Sequence, residues 1–99
     1  MTAPPSSHSP LVLAIDLGSS GVRVALVDAA GRVFGSASGA VTMRLLPDGG
    51  AEEDPEEIWT AVGRSIQRAL AAAPPGAHTR IAAILCGSQY SSLVPVDAG

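Results

Sequence analysis

The sequence predicts a small α/β fold: an antiparallel meander of three strands, a crossover helix, and a strand that returns parallel to the sheet. Three observations predict it. Two apolar runs, Leu11-Val12-Leu13-Ala14-Ile15 and Val24-Ala25-Leu26-Val27, flank a glycine-containing turn, which is the pattern of strand, tight turn, strand. Further along lies an amphipathic stretch with start and stop signals at its ends. A second continuous apolar run, Ile81-Ala82-Ala83-Ile84-Leu85, follows that stretch, and a strand after a crossover helix normally pairs parallel with a neighbour.

Each element has a local cause. Met1 to Pro10 contains three prolines, three serines and no basic residue, so it reads as a flexible tail; a secretory signal would need a positive start and a longer apolar core. The first strand is expected over about Leu11 to Asp16 and the second over about Val22 to Asp28. Asp28-Ala29-Ala30-Gly31 makes a turn, and Arg32 to Ser38 gives a third strand diluted by Gly35. Val41 to Leu46 is expected to extend the sheet before Pro47-Asp48-Gly49-Gly50 breaks the chain. Asp54 reads as the helix N-cap, Pro55 as the first helical residue and Glu57 as the second half of a capping box. Glu56 and Glu57 also suit the positive end of the helix dipole. Ile58, Val62, Ile66, Ala69, Leu70 and Ala73 recur at helical spacing and form one apolar stripe. Trp59 is expected to pack, because an indole near a helix start buries much area. Pro74-Pro75-Gly76 ends the helix. The run from Ile81 then reads as a buried strand, with Cys86 a small buried residue in it. Leu93 to Val96 reads as an edge strand, since Pro95 removes a ladder donor. It ends in Asp97-Ala98-Gly99, the start of a hairpin turn without its return strand, so the chain is expected to be cut short there, with an unpaired edge.

Bulk properties exclude several classes. Ninety-nine residues allow one small domain, and 46% apolar content is globular. The net charge is −3, and the six basic residues are scattered arginines with no lysine among them, so no patch points to nucleic acid. No run approaches the ~20 apolar residues of a membrane span. A single cysteine excludes an internal disulfide and fits a reducing compartment. A soluble, cytoplasmic protein is expected. His8 and His78 are isolated, without the carboxylate or thiol spacing of a metal site, and read as loop residues.

The segment that carries chemistry is Asp16-Leu17-Gly18-Ser19-Ser20-Gly21-Val22-Arg23. Glycine tolerates φ values that strain other residues, so such a turn can aim several N–H groups at one anion. Ser19 and Ser20 add hydroxyl donors, Arg23 adds a fixed charge, and Asp16 would hold a hydrated Mg²⁺ beside bound phosphates. The same residues would equally make an ordinary hairpin turn. A Walker loop is excluded by the lack of lysine. The dinucleotide fingerprint is excluded because Gly18 and Gly21 lead into a strand rather than a helix.

The order of elements, with a phosphate turn after the first strand, resembles the first half of the ribonuclease-H-like lobe shared by actin, Hsp70 chaperones and sugar kinases. Two further segments narrow the resemblance. Glu52-Glu53-Asp54-Pro55-Glu56-Glu57-Ile58-Trp59 is similar to the acid-x-Asp-Pro helix start of the FGGY carbohydrate kinases, among them glycerol kinases and xylulokinases. Gly87-Ser88-Gln89-Tyr90-Ser91-Ser92 lines up with that family's Gly-Gln-Met-His-Gly segment. The resemblance covers Leu11 to Gly99, as the N-terminal part of the family's N-terminal domain, in truncated form.

The resemblance implies an ATP-dependent kinase that moves the γ-phosphate to a hydroxyl of a sugar or polyol. It implies that Asp16 lies near Mg²⁺, that Gly18, Ser19, Ser20 and Arg23 line the ATP phosphates, and that Gln89, with Tyr90, approaches the substrate. Asp54 is already explained as a helix cap. Tyr90 and Ser91 stand where xylulokinase-like members carry Met-His, so this pattern does not carry xylulose specificity over. The family's general base and adenosine site lie further along a longer chain, so these residues would supply one wall of a site. The competing readings are a non-catalytic lobe that binds a nucleotide or a partner, or self-associates through an exposed edge, and a chaperone-like ATPase. The Asp54-Pro55 start and the Gln89 segment argue against the last.

Overall fold

The computed structural model of the chain describes residues 9–89 and 92–99. Strand β1 runs Leu11–Leu17, β2 Gly21–Val27 and β3 Val33–Ala40; a two-stranded hairpin follows, β4 Arg44–Leu45 with β5 Ala51–Glu52; helix α1 spans Pro55–Ala72, a 3-10 turn spans Ala77–Arg80, and β6 runs Ile81–Gly87. The main sheet has the order β3-β2-β1-β6. β1 pairs antiparallel with β2, β2 antiparallel with β3, and β6 returns parallel to β1. The α/β meander, crossover helix and parallel strand are therefore all present.

Alternation within the strands decides which face closes. Leu11 and Leu13 of β1 and Val22, Val24 and Leu26 of β2 are buried. Helix α1 lies across β2 and β3 on that side. Its stripe, Ile58, Val62, Ile66, Leu70 and Ala73, packs against the buried cluster, and Ala69 belongs to it outright. Each fully buried Leu or Val of the sheet contributes about 1.5–3 kcal/mol, and the partly buried stripe residues contribute less. The helix can come this close because β3 is bare where it crosses: a methyl group on Gly35 would overlap the carbonyl oxygen of Ala69. The residue that looked like a dilution of the third strand is a contact requirement.

The helix start forms as the residues dictate, with one exchange of partners. Asp54 Oδ1 accepts the Glu56 N–H at 2.9 Å, a cap of about 1 kcal/mol. Glu57 does not close a capping box. Its Oε1 instead accepts the Thr42 N–H at 2.8 Å, fastening the segment after β3 to the helix. Trp59 is 74% exposed, contrary to the expectation of packing. It lies off the apolar stripe, on the flank of exposed Glu56 and Gly63, which the sheet does not reach.

Three other expectations are corrected. Val41 to Leu46 does not extend the sheet: Val41 is buried in the core, and β4 forms a separate hairpin whose Pro47–Gly50 turn uses Gly49 at φ 89°. β6 is not buried. It is the sheet edge, with Ile84 65% and Leu85 67% exposed, and Cys86 is exposed with it; α1 covers β2 and β3 and leaves the β6 end uncovered. Leu93 to Val96 forms no strand, because a strand exists only by pairing and these residues meet no partner among those described. Of the tail, Ser9 is tied down, its carbonyl accepting Arg80 Nε at 2.9 Å; His8 lies outside the described residues. His78 is in the 3-10 turn.

The β2–β3 turn is satisfied within itself. Asp28, 8% exposed, accepts the Ala30 N–H at 3.0 Å, the Arg32 N–H at 2.9 Å and Arg32 Nε at 2.9 Å. Gly31 takes φ 82°, the left-handed value that only glycine adopts freely. The Arg32 N–H holds the Asp28 carboxyl below the ordinary carboxylate range; burial pushes it up, and the Arg32 guanidinium and the Ala30 N–H add to the lowering.

Candidate functional site

The β1–β2 turn is built differently. Gly18 N–H donates to the Gly21 carbonyl at 2.9 Å, and the Ser20 carbonyl accepts the Val41 N–H at 3.1 Å. Gly18 and Gly21 do not take positive φ, so conformational freedom is not why glycine is needed here. Close approach is. A Cβ on Gly21 would lie 2.5 Å from the Gly39 carbonyl oxygen, and one on Gly18 would lie 3.2 Å from the Gly21 carbonyl oxygen. The turn is pressed against β3, and only bare backbone fits.

The Gly18 N–H is consumed by this closure and is no donor for a ligand. Ser19 and Ser20 are different. Both are exposed, and among the described residues neither their N–H groups nor their hydroxyls donate to any acceptor. Just past the turn, Asp16 and Arg23 stand directly opposite each other on the β1–β2 ladder. Arg23 pairs onward with Ser38 of β3, and Asp16 with Gly87 of β6. One row thus crosses all four strands as Gly87, Asp16, Arg23, Ser38. Asp16 and Arg23 are exposed, and among the described residues the ion pairs are Arg32 with Asp28 and Arg44 with Glu52. Opposite charges that face each other without pairing leave both available to something else.

A groove of about 480 Å³ joins these groups, lined by Asp16, Gly18 to Arg23 and Ser38 to Ala40. All five residues singled out as a phosphate and metal set, Asp16, Gly18, Ser19, Ser20 and Arg23, border it. A second, more apolar groove of about 750 Å³ continues over the uncovered sheet face between Ala14, Ala25, Ser36 and Leu85, with Asp16 and Arg23 on both. Among the described residues no three His, Cys, Asp or Glu side chains gather, and Asp16 is the one carboxylate among the residues lining these two grooves.

Gln89 reaches the turn from the far side. Its Nε2 donates to the Gly18 carbonyl at 3.3 Å and to Glu53 Oε1 at 3.0 Å. Three segments distant in sequence therefore meet at one amide nitrogen: the end of β1, the residue before the N-cap of α1, and the segment after β6. Both acceptors are oxygens, which fixes the orientation of the Gln89 amide. Tyr90, expected beside it, lies outside the described residues.

Sequence reasoning missed Glu53. Three acids stand in a row, and their spacing does not separate them. The structure does: Glu52 Oε1 pairs with exposed Arg44 at 3.0 Å, Asp54 caps the helix, and Glu53 turns inward to Gln89. Glu53 Oε2 is buried and has no hydrogen-bond partner among the described residues. The nearest signal was the Glu52-Glu53-Asp54 run itself, which shows an excess of carboxylates over cations.

Residues 11–99 match the family model for the N-terminal domain of the FGGY family of carbohydrate kinases. The chain is 33% identical over 94 residues to a xylulose kinase of Streptomyces coelicolor, an alignment covering 94% of this chain and 18% of that protein. It is 35% identical over 65 residues to a glycerol kinase of Corynebacterium glutamicum, covering 66% of this chain and 13% of that protein. The chain thus spans less than a fifth of the length of these relatives.

Proposed function

This chain belongs to the FGGY family of carbohydrate kinases, and from that premise we propose that it forms the phosphate-binding wall of an ATP-dependent kinase acting on a hydroxyl of a sugar or polyol. The observation that carries the proposal is the groove at the β1–β2 turn, where unused donors of Ser19 and Ser20 border an unpaired Asp16 and Arg23. Phosphoryl transfer depends on positioning and charge stabilisation more than on covalent chemistry by the protein. A rim of free N–H and O–H donors with one arginine suits the oxygens of a polyphosphate.

Mg²⁺ fits the same rim. It keeps several waters and is commonly held by one or two carboxylates plus the phosphates of its nucleotide. A single exposed carboxylate beside a phosphate turn meets that need, and Asp16 would hold it through its water shell. When bound, the ion would neutralise charge developing on the transferred phosphoryl group. Arg23 would bind phosphate oxygens on the neighbouring strand, and Ser19 and Ser20 would orient the phosphate chain. The base that takes the proton from the substrate hydroxyl, and the adenosine site, are assigned to sequence outside these residues.

No helix among the described residues is long and apolar enough to cross a membrane, and a cytoplasmic setting suits both ATP as phosphate donor and the single reduced cysteine. The test is ADP release by the full-length protein that carries this chain, measured over a panel of ketoses, aldoses and polyols. Release that depends on one class of them supports the kinase. Mg–ATP binding without turnover would move the chain to the non-catalytic reading, and sugar-independent turnover to the chaperone-like one.

A further inference from the structure

Gln89 is fixed at both ends of its amide. Nε2 donates to the Gly18 carbonyl at 3.3 Å and to Glu53 Oε1 at 3.0 Å, and the Ser92 hydroxyl donates to Oε1 at 3.5 Å. A flipped amide would set its oxygen against two acceptors, so the donor end is held toward the turn. Glu53 is enclosed as well, with Oε2 shut off from solvent. A carboxylate enclosed beside an amide nitrogen keeps that nitrogen facing it.

The Gly18 carbonyl belongs to the same peptide unit as the Ser19 N–H. That peptide is trans, and in a trans peptide the carbonyl and the N–H point in opposite directions. Holding the carbonyl from one side therefore turns the Ser19 N–H to the other. Ser19 borders the groove at the turn, and Gln89 is not among the residues that line it. Among the described residues nothing accepts from the Ser19 N–H. Gly18 offers little resistance of its own to rotation of this peptide, since it has no Cβ. Resting on the phosphate-binding reading above, we propose that Gln89 is a positioning residue. It holds the Gly18–Ser19 peptide so that the Ser19 N–H is presented to a phosphate oxygen, and Glu53 keeps the Gln89 amide in its donating orientation. This assigns Gln89 a different task from direct contact with the sugar or polyol.

The experiment uses the full-length protein and measures Kd for Mg–ATP and for adenosine by titration calorimetry, with Tm alongside. Gln89→Glu keeps the shape and sets an acceptor against the Gly18 carbonyl. It is expected to weaken Mg–ATP about tenfold and to leave adenosine, which has no phosphate, within about twofold. Gln89→Met has the same length and neither donor nor charge, and should weaken Mg–ATP about three- to fivefold. The double variant Glu53→Gln with Gln89→Glu keeps the net charge and restores the amide–carboxylate tie with its members exchanged. A carboxylate oxygen still faces the Gly18 carbonyl in it, so Tm should recover while Mg–ATP binding stays weak. Recovery of Mg–ATP affinity in the double variant would show that the tie only holds the fold together, and would overturn the proposal. So would an equal loss on adenosine, or unchanged Mg–ATP binding in both Gln89→Glu and Gln89→Met. Wild-type protein that binds no Mg–ATP overturns the phosphate-binding reading and this inference with it. Wild-type protein that binds Mg–ATP without sugar-dependent ADP release counts against the kinase alone, and the expected pattern of Kd values then still supports the assignment of Gln89.

Discussion

The β1–β2 turn and the β2–β3 turn join strands of one meander and use the same residue types: an aspartate, glycine and an arginine. In the β2–β3 turn all of these close on one another. Asp28 is buried, accepts three hydrogen bonds and pairs with Arg32, and Gly31 adopts the left-handed backbone that the tight reversal needs. In the β1–β2 turn Asp16 and Arg23 face each other unpaired, two serines leave their donors unused, and glycine serves close approach to β3. The first arrangement is complete without a ligand. The second leaves its exposed charges and donors to solvent or to a ligand, and that difference marks the candidate site more clearly than the residue types do.

The largest effect is expected at Asp16. In the full-length protein Asp16→Ala should lower kcat about a hundredfold or more and leave Tm nearly unchanged, because the side chain is exposed and carries no ion pair. Asp28→Ala should do the reverse, lowering Tm with kcat intact. Steady-state kinetics and thermal unfolding on both variants decide it; equal losses of kcat would abolish the distinction between the turns.

Next come the glycines. Gly21→Ala must push the turn off the Gly39 carbonyl and is expected to cost about 1–3 kcal/mol. Gly31→Ala meets open space and should cost only the conformational strain of its φ, about 1 kcal/mol. Denaturant unfolding compares them, and a larger cost at Gly31 would contradict the close-approach explanation.

Acid stability separates the turns more finely. The carboxyl of Asp28 titrates below its ordinary value in the folded chain. The unfolded chain therefore binds its proton first as pH falls. The stabilisation is fully present above the unfolded pKa of about 3.9 and disappears as pH drops through the lower folded value. Asp28→Asn should flatten the loss of stability below about pH 4, and an unchanged acid limb would remove Asp28 as its source.

The smallest effect concerns a buried polar atom without a partner among the described residues, Ser65 Oγ in the core. Ser65 is fully buried on the sheet-facing side of α1, next to Gly39. Ser65→Ala removes an unsatisfied hydroxyl and improves helix propensity, and should stabilise by about 0.5–1 kcal/mol. Destabilisation on unfolding would mean that the hydroxyl finds an acceptor in solution.

What the sequence determined alone was whatever short-range physics controls. Leu11 to Ile15 and Val24 to Val27 are short apolar runs bounded by turn signals, as strands often are. Asp54 and Pro55 start a helix, Pro74 to Gly76 stop it, and Asp28 to Gly31 turn the chain, all within a few residues. The β1–β2 turn was legible for the same reason, since its residue types and spacing are local. Tertiary structure decided everything that depends on which surface lies opposite. Trp59 and Ile58 are neighbours in sequence, but only one faces the sheet. Ile81 to Leu85 reads as interior by composition and becomes an edge because α1 covers the other end of the sheet. Glu57 fits a capping box and instead holds Thr42. Among three consecutive acids, only the arrival of Gln89 singles out Glu53. Burial and pairing are properties of two surfaces meeting, and a one-dimensional pattern specifies only one of them.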